Sequence, residues 1–169
     1  MAIEELHGKD GLDRVREAMP ARLREQIMLV RPLDWYPVEV TAALHASIRD
    51  VLGGGSWDES QRISRVAAKK DLTGPYRALL RAVQYDTVWD RMERVWRQYY
   101  DAGEARWVER GHGHAKAEFT GVAGFNVGMW RTIAGRVELM LEMTGARSPD
   151  VAVKEAASTH GTLEALWFE

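Results

Sequence analysis

The spacing of apolar and polar positions changes near Gly103. Before it, apolar residues recur every three or four positions; after it they alternate. The clearest early pattern places Thr41, Leu44, His45, Ile48, Val51 and Leu52 on one face, predicting a helix opened by Pro37 and ended by Gly53-Gly54-Gly55. Upstream, helices are predicted at Gly11–Ala18 and from Pro20 to about Leu29, followed by an extended segment, Arg31–Tyr36. Ser56-Trp57-Asp58-Glu59 has the form of a capping box. Ser56 should accept from the amide three residues on while Glu59 reaches back, starting a helix to about Lys70. Thr73 and Pro75 open another helix. Tyr85-Asp86-Thr87 restarts the chain into one that ends at Gly103 and aligns Trp89, Met92, Trp96 and Tyr99.

Beyond Gly103, Ala105, Trp107 and Glu109 alternate with Glu104, Arg106, Val108 and Arg110, Gly111-His112-Gly113 supplies a turn, and Ala115, Ala117 and Phe119 alternate with Lys116 and Glu118. This is the pattern of a β-hairpin. A long helix is predicted over Phe125–Thr144, with Met129, Ile133, Val137, Met140 and Leu141 inward and Gly145 closing it. Strands near Val151–Ala157 and Thr162–Phe168 meet around Thr159-His160-Gly161. The predicted class is α+β in a single domain, 1–169: a helical part, 1–102, feeding a ββαββ part, 103–169, with a four-stranded antiparallel sheet.

Composition narrows the chemistry. The 169 residues include seven Trp and no Cys, which excludes disulfides, thiol nucleophiles, thiolate zinc sites and cysteine-held iron–sulfur clusters. Lys plus Arg number 23 against 25 Asp plus Glu, and the split is even along the chain, so neither half forms a basic platform for nucleic acid. No apolar run is long enough for a membrane span. Met1–Glu5 lacks the basic-then-apolar layout of a signal peptide, so the expected location is the cytoplasm.

The stretch Val95-Trp96-Arg97-Gln98-Tyr99-Tyr100-Asp101-Ala102-Gly103-Glu104, the hairpin after it, the helix ending Leu141-Glu142-Met143-Thr144-Gly145-Ala146-Arg147 and the closing strand pair together resemble the 4-vinyl-reductase-like domains. That superfamily also holds haem-NO-binding domains and transport-particle (TRAPP) subunits. Trp35-Tyr36-Pro37 and Asp71-Leu72-Thr73-Gly74-Pro75-Tyr76 are similar to the punctuation of uncharacterised stand-alone members from myxobacteria. The resemblance implies a sensor or adaptor fold, often a homodimer, holding a small apolar molecule between helices and sheet. Relatives that bind zinc use cysteines between the last two strands, where this chain has none. Haem-binding relatives carry a proximal His and a Tyr-x-Ser-x-Arg signature, for which the nearest match is His45-x-Ser47-x-Arg49 on an early helix. On these grounds the sequence argues against both haem and structural zinc.

The candidate ligand pocket comprises Trp89, Met92, Trp96, Tyr99, Phe125, Met129 and His45, with Tyr99 as a polar end; Tyr100 and Trp107 come next. The same residues also account for an ordinary core, and His45 for a satisfied core histidine. His112, His114 and His160 are weak metal candidates that would need their two turns to converge. No nucleophile elbow or phosphate loop is present, and Asp58, Glu59, Glu138 and Glu142 read as capping and solvated-helix carboxylates. The expectation is therefore a non-catalytic sensor or adaptor in bacterial signalling with an unidentified signalling partner. The alternative is a ligand-free interaction scaffold that docks a partner on exposed aromatics such as Trp35 or Trp57.

Overall fold

A computed structural model describes residues 2–29, 35–71 and 92–168. The helix expected after Thr73, the restart at Tyr85–Thr87, Trp89 and part of the extended segment, 31–34, lie outside the described residues. Six helices and four strands are described: α1 (Ala2–Ala18), α2 (Ala21–Met28), α3 (Val38–Val51), α4 (Asp58–Asp71), α5 (Met92–Tyr99), β1 (Glu104–Gly111), β2 (His114–Thr120), α6 (Val127–Thr144), β3 (Arg147–Ala156) and β4 (His160–Phe168). The class is α+β, as the change in periodicity predicts.

The strands form one antiparallel sheet in the order β1-β2-β4-β3, with α6 and α5 against its inner face. The inner face carries Ala105, Ala115, Ala117, Phe119, Leu163, Ala165 and Trp167, all buried. Across it lie Met129, Trp130, Ile133, Ala134 and Leu141 of α6, while Val137 and Met140 are half-buried. A second apolar cluster, Ile3, Leu12, Val15, Ile48 and Ile63, joins α1, α3 and α4.

Several boundaries differ from expectation for local reasons. α1 begins at Ala2, ahead of the expected start at Gly11, as two helical stretches joined at a kink where Gly8 takes a positive φ of 71°. Ser56 does not form the expected capping box. It accepts from the Asp58 amide at 3.2 Å and donates to the Asp58 carboxylate, while Glu59 binds His7 at 2.7 Å. In β1 a bulge between Trp107 and Glu109 breaks the alternation, so Glu109 leaves the inner face and pairs with Lys116. β3 starts four residues early, at Arg147, through an irregular stretch in which Ser148 has φ 49°. α6 starts at Val127, where Asn126 caps by accepting from the Met129 amide at 3.1 Å, and Gly145 ends it in the left-handed region.

Candidate functional site

Where α5 and α6 meet the sheet, aromatic side chains fill the space. Trp96 stacks on Tyr100 with centroids 4.3 Å apart and meets Phe119 at 5.1 Å; Phe125 meets Tyr100 at 5.2 Å and Trp130 at 4.8 Å. Both buried indole N–H groups of this cluster are answered locally. The Trp96 indole donates to the Ala102 carbonyl at 3.1 Å and the Trp130 indole to the Ala157 carbonyl at 2.8 Å. Trp130 fits because Gly161 leaves room: a Cβ there would lie 2.7 Å from the indole. Burial pushes the Tyr100 phenol up to about 12, with Arg136 opposing the shift and Tyr99 adding to it, so it stays protonated.

The expected pocket residues separate. Trp96, Phe125 and Met129 are buried together in this core. Tyr99 is 43% exposed, with the Arg136 guanidinium 4.8 Å over its ring, and Tyr100 is the tyrosine turned inward. On a short helix followed directly by the chain's exit, the neighbouring position faces the core. Trp107 lies at the margin of the core rather than in the aromatic group. Met92 begins α5, and Trp89 lies outside the described residues.

His45 belongs to a different place, the junction of α3, α4 and α6. Its Nδ1 is 3.1 Å from Ser60 Oγ and its Nε2 3.0 Å from Thr132 Oγ1. Thr132 donates its own proton to the Gly128 carbonyl, so its oxygen accepts from Nε2–H, and the Nδ1 lone pair takes the Ser60 hydroxyl. Ser60 is fully buried and His45 nearly so. Burial first, and the Arg136 charge second, lower the His45 pKa to about 4, so the imidazole is neutral near pH 7.

A third arrangement is barely signalled in the sequence. Glu138, expected to be solvated, is only 8% exposed and sits between α4 and the edge strand β3. One carboxylate oxygen accepts from Gln61 Nε2 and from the Val151 amide at 3.4 Å, and the other meets Arg65 at 3.5 Å. Gln61 also donates to the Val151 carbonyl at 3.3 Å. Side chains of α4 and α6 thus satisfy both backbone groups of one edge residue. Arg65 continues to Glu142, and Arg131 ties Gln61 to Asp58. The only sequence cue was weak: Glu138 follows Val137 on a helix flank, and its partners lie 77 and 73 residues away.

The three turn histidines do not converge. His114 pairs with Leu166 and Thr120 with His160, so His114 and His160 stand six positions apart along the sheet, roughly 20 Å at strand rise. His114 meets Glu164, His160 meets Glu155, and His112 occupies the hairpin tip. Among the described residues no group of three His or carboxylate side chains could hold a metal ion. Trp35 is 60% exposed, whereas Trp57 is partly covered and carries the Arg49 guanidinium 4.7 Å over its ring. No helix among the described residues is long and apolar enough to cross a membrane.

No protein-family model matches the chain, and no curated protein does. Solved structures do. An Fe(II) unliganded H-NOX protein from K. algicida superposes with a TM-score of 0.73 at 11% identity, covering 99% of this chain and 91% of that one. An oxygen-binding H-NOX domain related to soluble guanylate cyclases gives 0.62 at 13% identity, over 99% and 90%. A structure from work on haem distortion in the H-NOX family gives 0.66 at 11%, over 99% and 89%. These neighbours overturn the sequence-based expectation against haem. That expectation rested on a missing linear signature, whereas the fold is shared along nearly the whole chain with domains studied for their haem. In fold, the chain is similar to the haem-NO-binding (H-NOX) domains.

Proposed function

We propose that this chain is a non-catalytic sensor domain that admits a planar apolar or aromatic guest, haem among the candidates, between α5, α6 and the sheet. The observation that carries the reading is the whole-length likeness to H-NOX domains, one of which is described as an oxygen complex. Within that fold, the Val95–Glu104 and Leu141–Arg147 patterns favour the 4-vinyl-reductase-like branch and a homodimer in bacterial signalling.

A porphyrin needs a slot several hundred Å³ in volume and an axial ligand. In the arrangement described, Trp96, Tyr100, Phe119, Phe125 and Trp130 occupy the slot. The lone pair of His45, the buried imidazole among the described residues, is taken by Ser60. The described residues in this closed arrangement therefore do not cradle haem, and admission of any guest requires the aromatic group to part. A ligand drives such a change only through better contacts with the open state than with the closed one.

Titration of the purified protein with haemin, followed by absorbance and by Trp fluorescence, tests the reading, together with native mass spectrometry of freshly purified protein. A saturable, one-to-one Soret shift assigns haem. A co-purifying apolar molecule without that shift assigns another guest. Neither result, with unchanged Trp emission, overturns the sensor reading in favour of the ligand-free scaffold, which the filled aromatic core favours.

A further inference from the structure

Residues 2–7 form a short helical strap, set off from the rest of α1 by Gly8. The φ of 71° and ψ of 178° at Gly8 lie in a region that glycine alone adopts without strain. A Cβ on Gly8 would meet nothing within 4 Å, so no neighbour crowds that position and the bend rests on the backbone itself. Gly11 contributes in the opposite way. A Cβ there would lie 2.5 Å from the His7 Cβ, so the missing side chain lets the strap fold close against the turn that follows it.

What seats the strap comes from far along the chain. Ile3, 2% exposed, joins Ile48 of α3 and Ile63 of α4 in the smaller apolar cluster, with Ala2 and Leu6 packed at its margin. His7 meets Glu59 at 2.7 Å and Glu5 meets Lys70 at 2.6 Å, so ion pairs pin the strap to the two ends of α4. The Glu5–Lys70 pair is about half exposed and contributes little. The seat thus depends chiefly on one deep apolar side chain and on the His7–Glu59 bond. Beyond Gly8, α1 has its own buried anchors, Leu12 and Val15, which do not depend on the strap's backbone. Rotation at one residue is enough to separate the two.

We propose that residues 2–7 are a releasable strap, which lifts as a unit about Gly8 and bares an apolar strip, Ile48 and Ile63, between α3 and α4 while the rest of the chain stays folded. The device is separate from the guest space beside Trp96. The chain has no Cys, so an introduced one is its only thiol. Ile3→Cys and Val15→Cys place that thiol in the same buried cluster on either side of Gly8. Labelling of each full-length variant with a thiol-reactive aromatic disulfide in rising urea reads how the position is uncovered. In the Ile3→Cys variant labelling should be about tenfold faster or more without urea and only weakly urea-dependent, because little surface opens with the strap. In the Val15→Cys variant it should follow the steep urea dependence of global unfolding. Adding Gly8→Ala to Ile3→Cys should speed labelling further, since a Cβ penalises the seated bend and not the lifted strap. The same steep urea dependence at both positions, or an Ile3→Cys rate that Gly8→Ala leaves as it was, would overturn the strap. Should the Gly8→Ala variant fail to fold, the urea comparison between the two single variants still decides. All labelling is done without haemin, so this proposal and the sensor reading fail separately.

Discussion

At the scale of single residues, His45 has the clearest consequence. Its ordinary pKa of 6.5 falls to about 4 in the folded chain, chiefly through burial, with Arg136 adding to the effect. The unfolded chain thus binds the proton more readily than the folded one, and stability rises with pH through this window. The contribution is complete above pH 6.5 and is lost as pH falls toward 4, amounting to roughly 3 kcal/mol by linkage. Urea denaturation of the wild type against His45→Gln should show the difference in pH dependence between pH 7 and 4, with the variant flatter; parallel curves would remove His45 as the cause. Gly135 makes a second, steric prediction. A Cβ there would lie 2.4 Å from the Gln61 carbonyl oxygen on α4, which is backbone and cannot turn aside. Gly135→Ala should therefore cost about 1–3 kcal/mol despite its better helix propensity, because the two helices must separate. A rise in the denaturation midpoint would contradict the close approach.

Between elements, the Gln61–Glu138–Val151 joint decides how the helices hold the edge of the sheet. An edge strand exposes backbone groups that invite pairing with another chain, and here α4 and α6 cover those of Val151. Glu138→Ala should lower stability by about 1–3 kcal/mol, since it leaves the amide and its buried partners unmet. In hydrogen exchange the Val151 amide should lose protection before those of β2; equal protection in the variant would show the joint to be dispensable. This element relation marks the limit of what the chain discloses in linear form. The hairpin was legible because alternation and Gly111-His112-Gly113 are both local, and α6 because its apolar stripe and Gly145 agree. Glu138 was not, because its burial depends on Gln61 and Arg65 arriving from a helix more than 70 residues earlier. The swap of Tyr99 for Tyr100 was missed for a similar reason. Periodicity fixes a face only to within one residue, and the placement of Arg136 on α6 decides which ring turns inward.

For the whole molecule, two of the described contacts between its helical half and its sheet half differ in character. The α4–α6–β3 joint is polar and directional, whereas the contact through α5 rests on Trp96 against Tyr100, Phe119 and Phe125. A polar network with several fixed partners resists opening, while an aromatic stack can part and re-form with a flat guest between its rings. If the molecule senses by opening, the α5 side is the one that gives. Trp96→Ala tests this directly. Removing the buried indole should cost about 3–5 kcal/mol and leave a space bounded by Tyr100, Phe119 and Phe125. In a molecule built to hold a guest there, that space persists, and free indole should bind it saturably and raise the denaturation midpoint of the variant with concentration. Wild type should show no such rise, because its own indole fills the site. In a molecule whose pocket has closed into a scaffold, the surroundings would collapse, and indole would leave the variant's midpoint where it was.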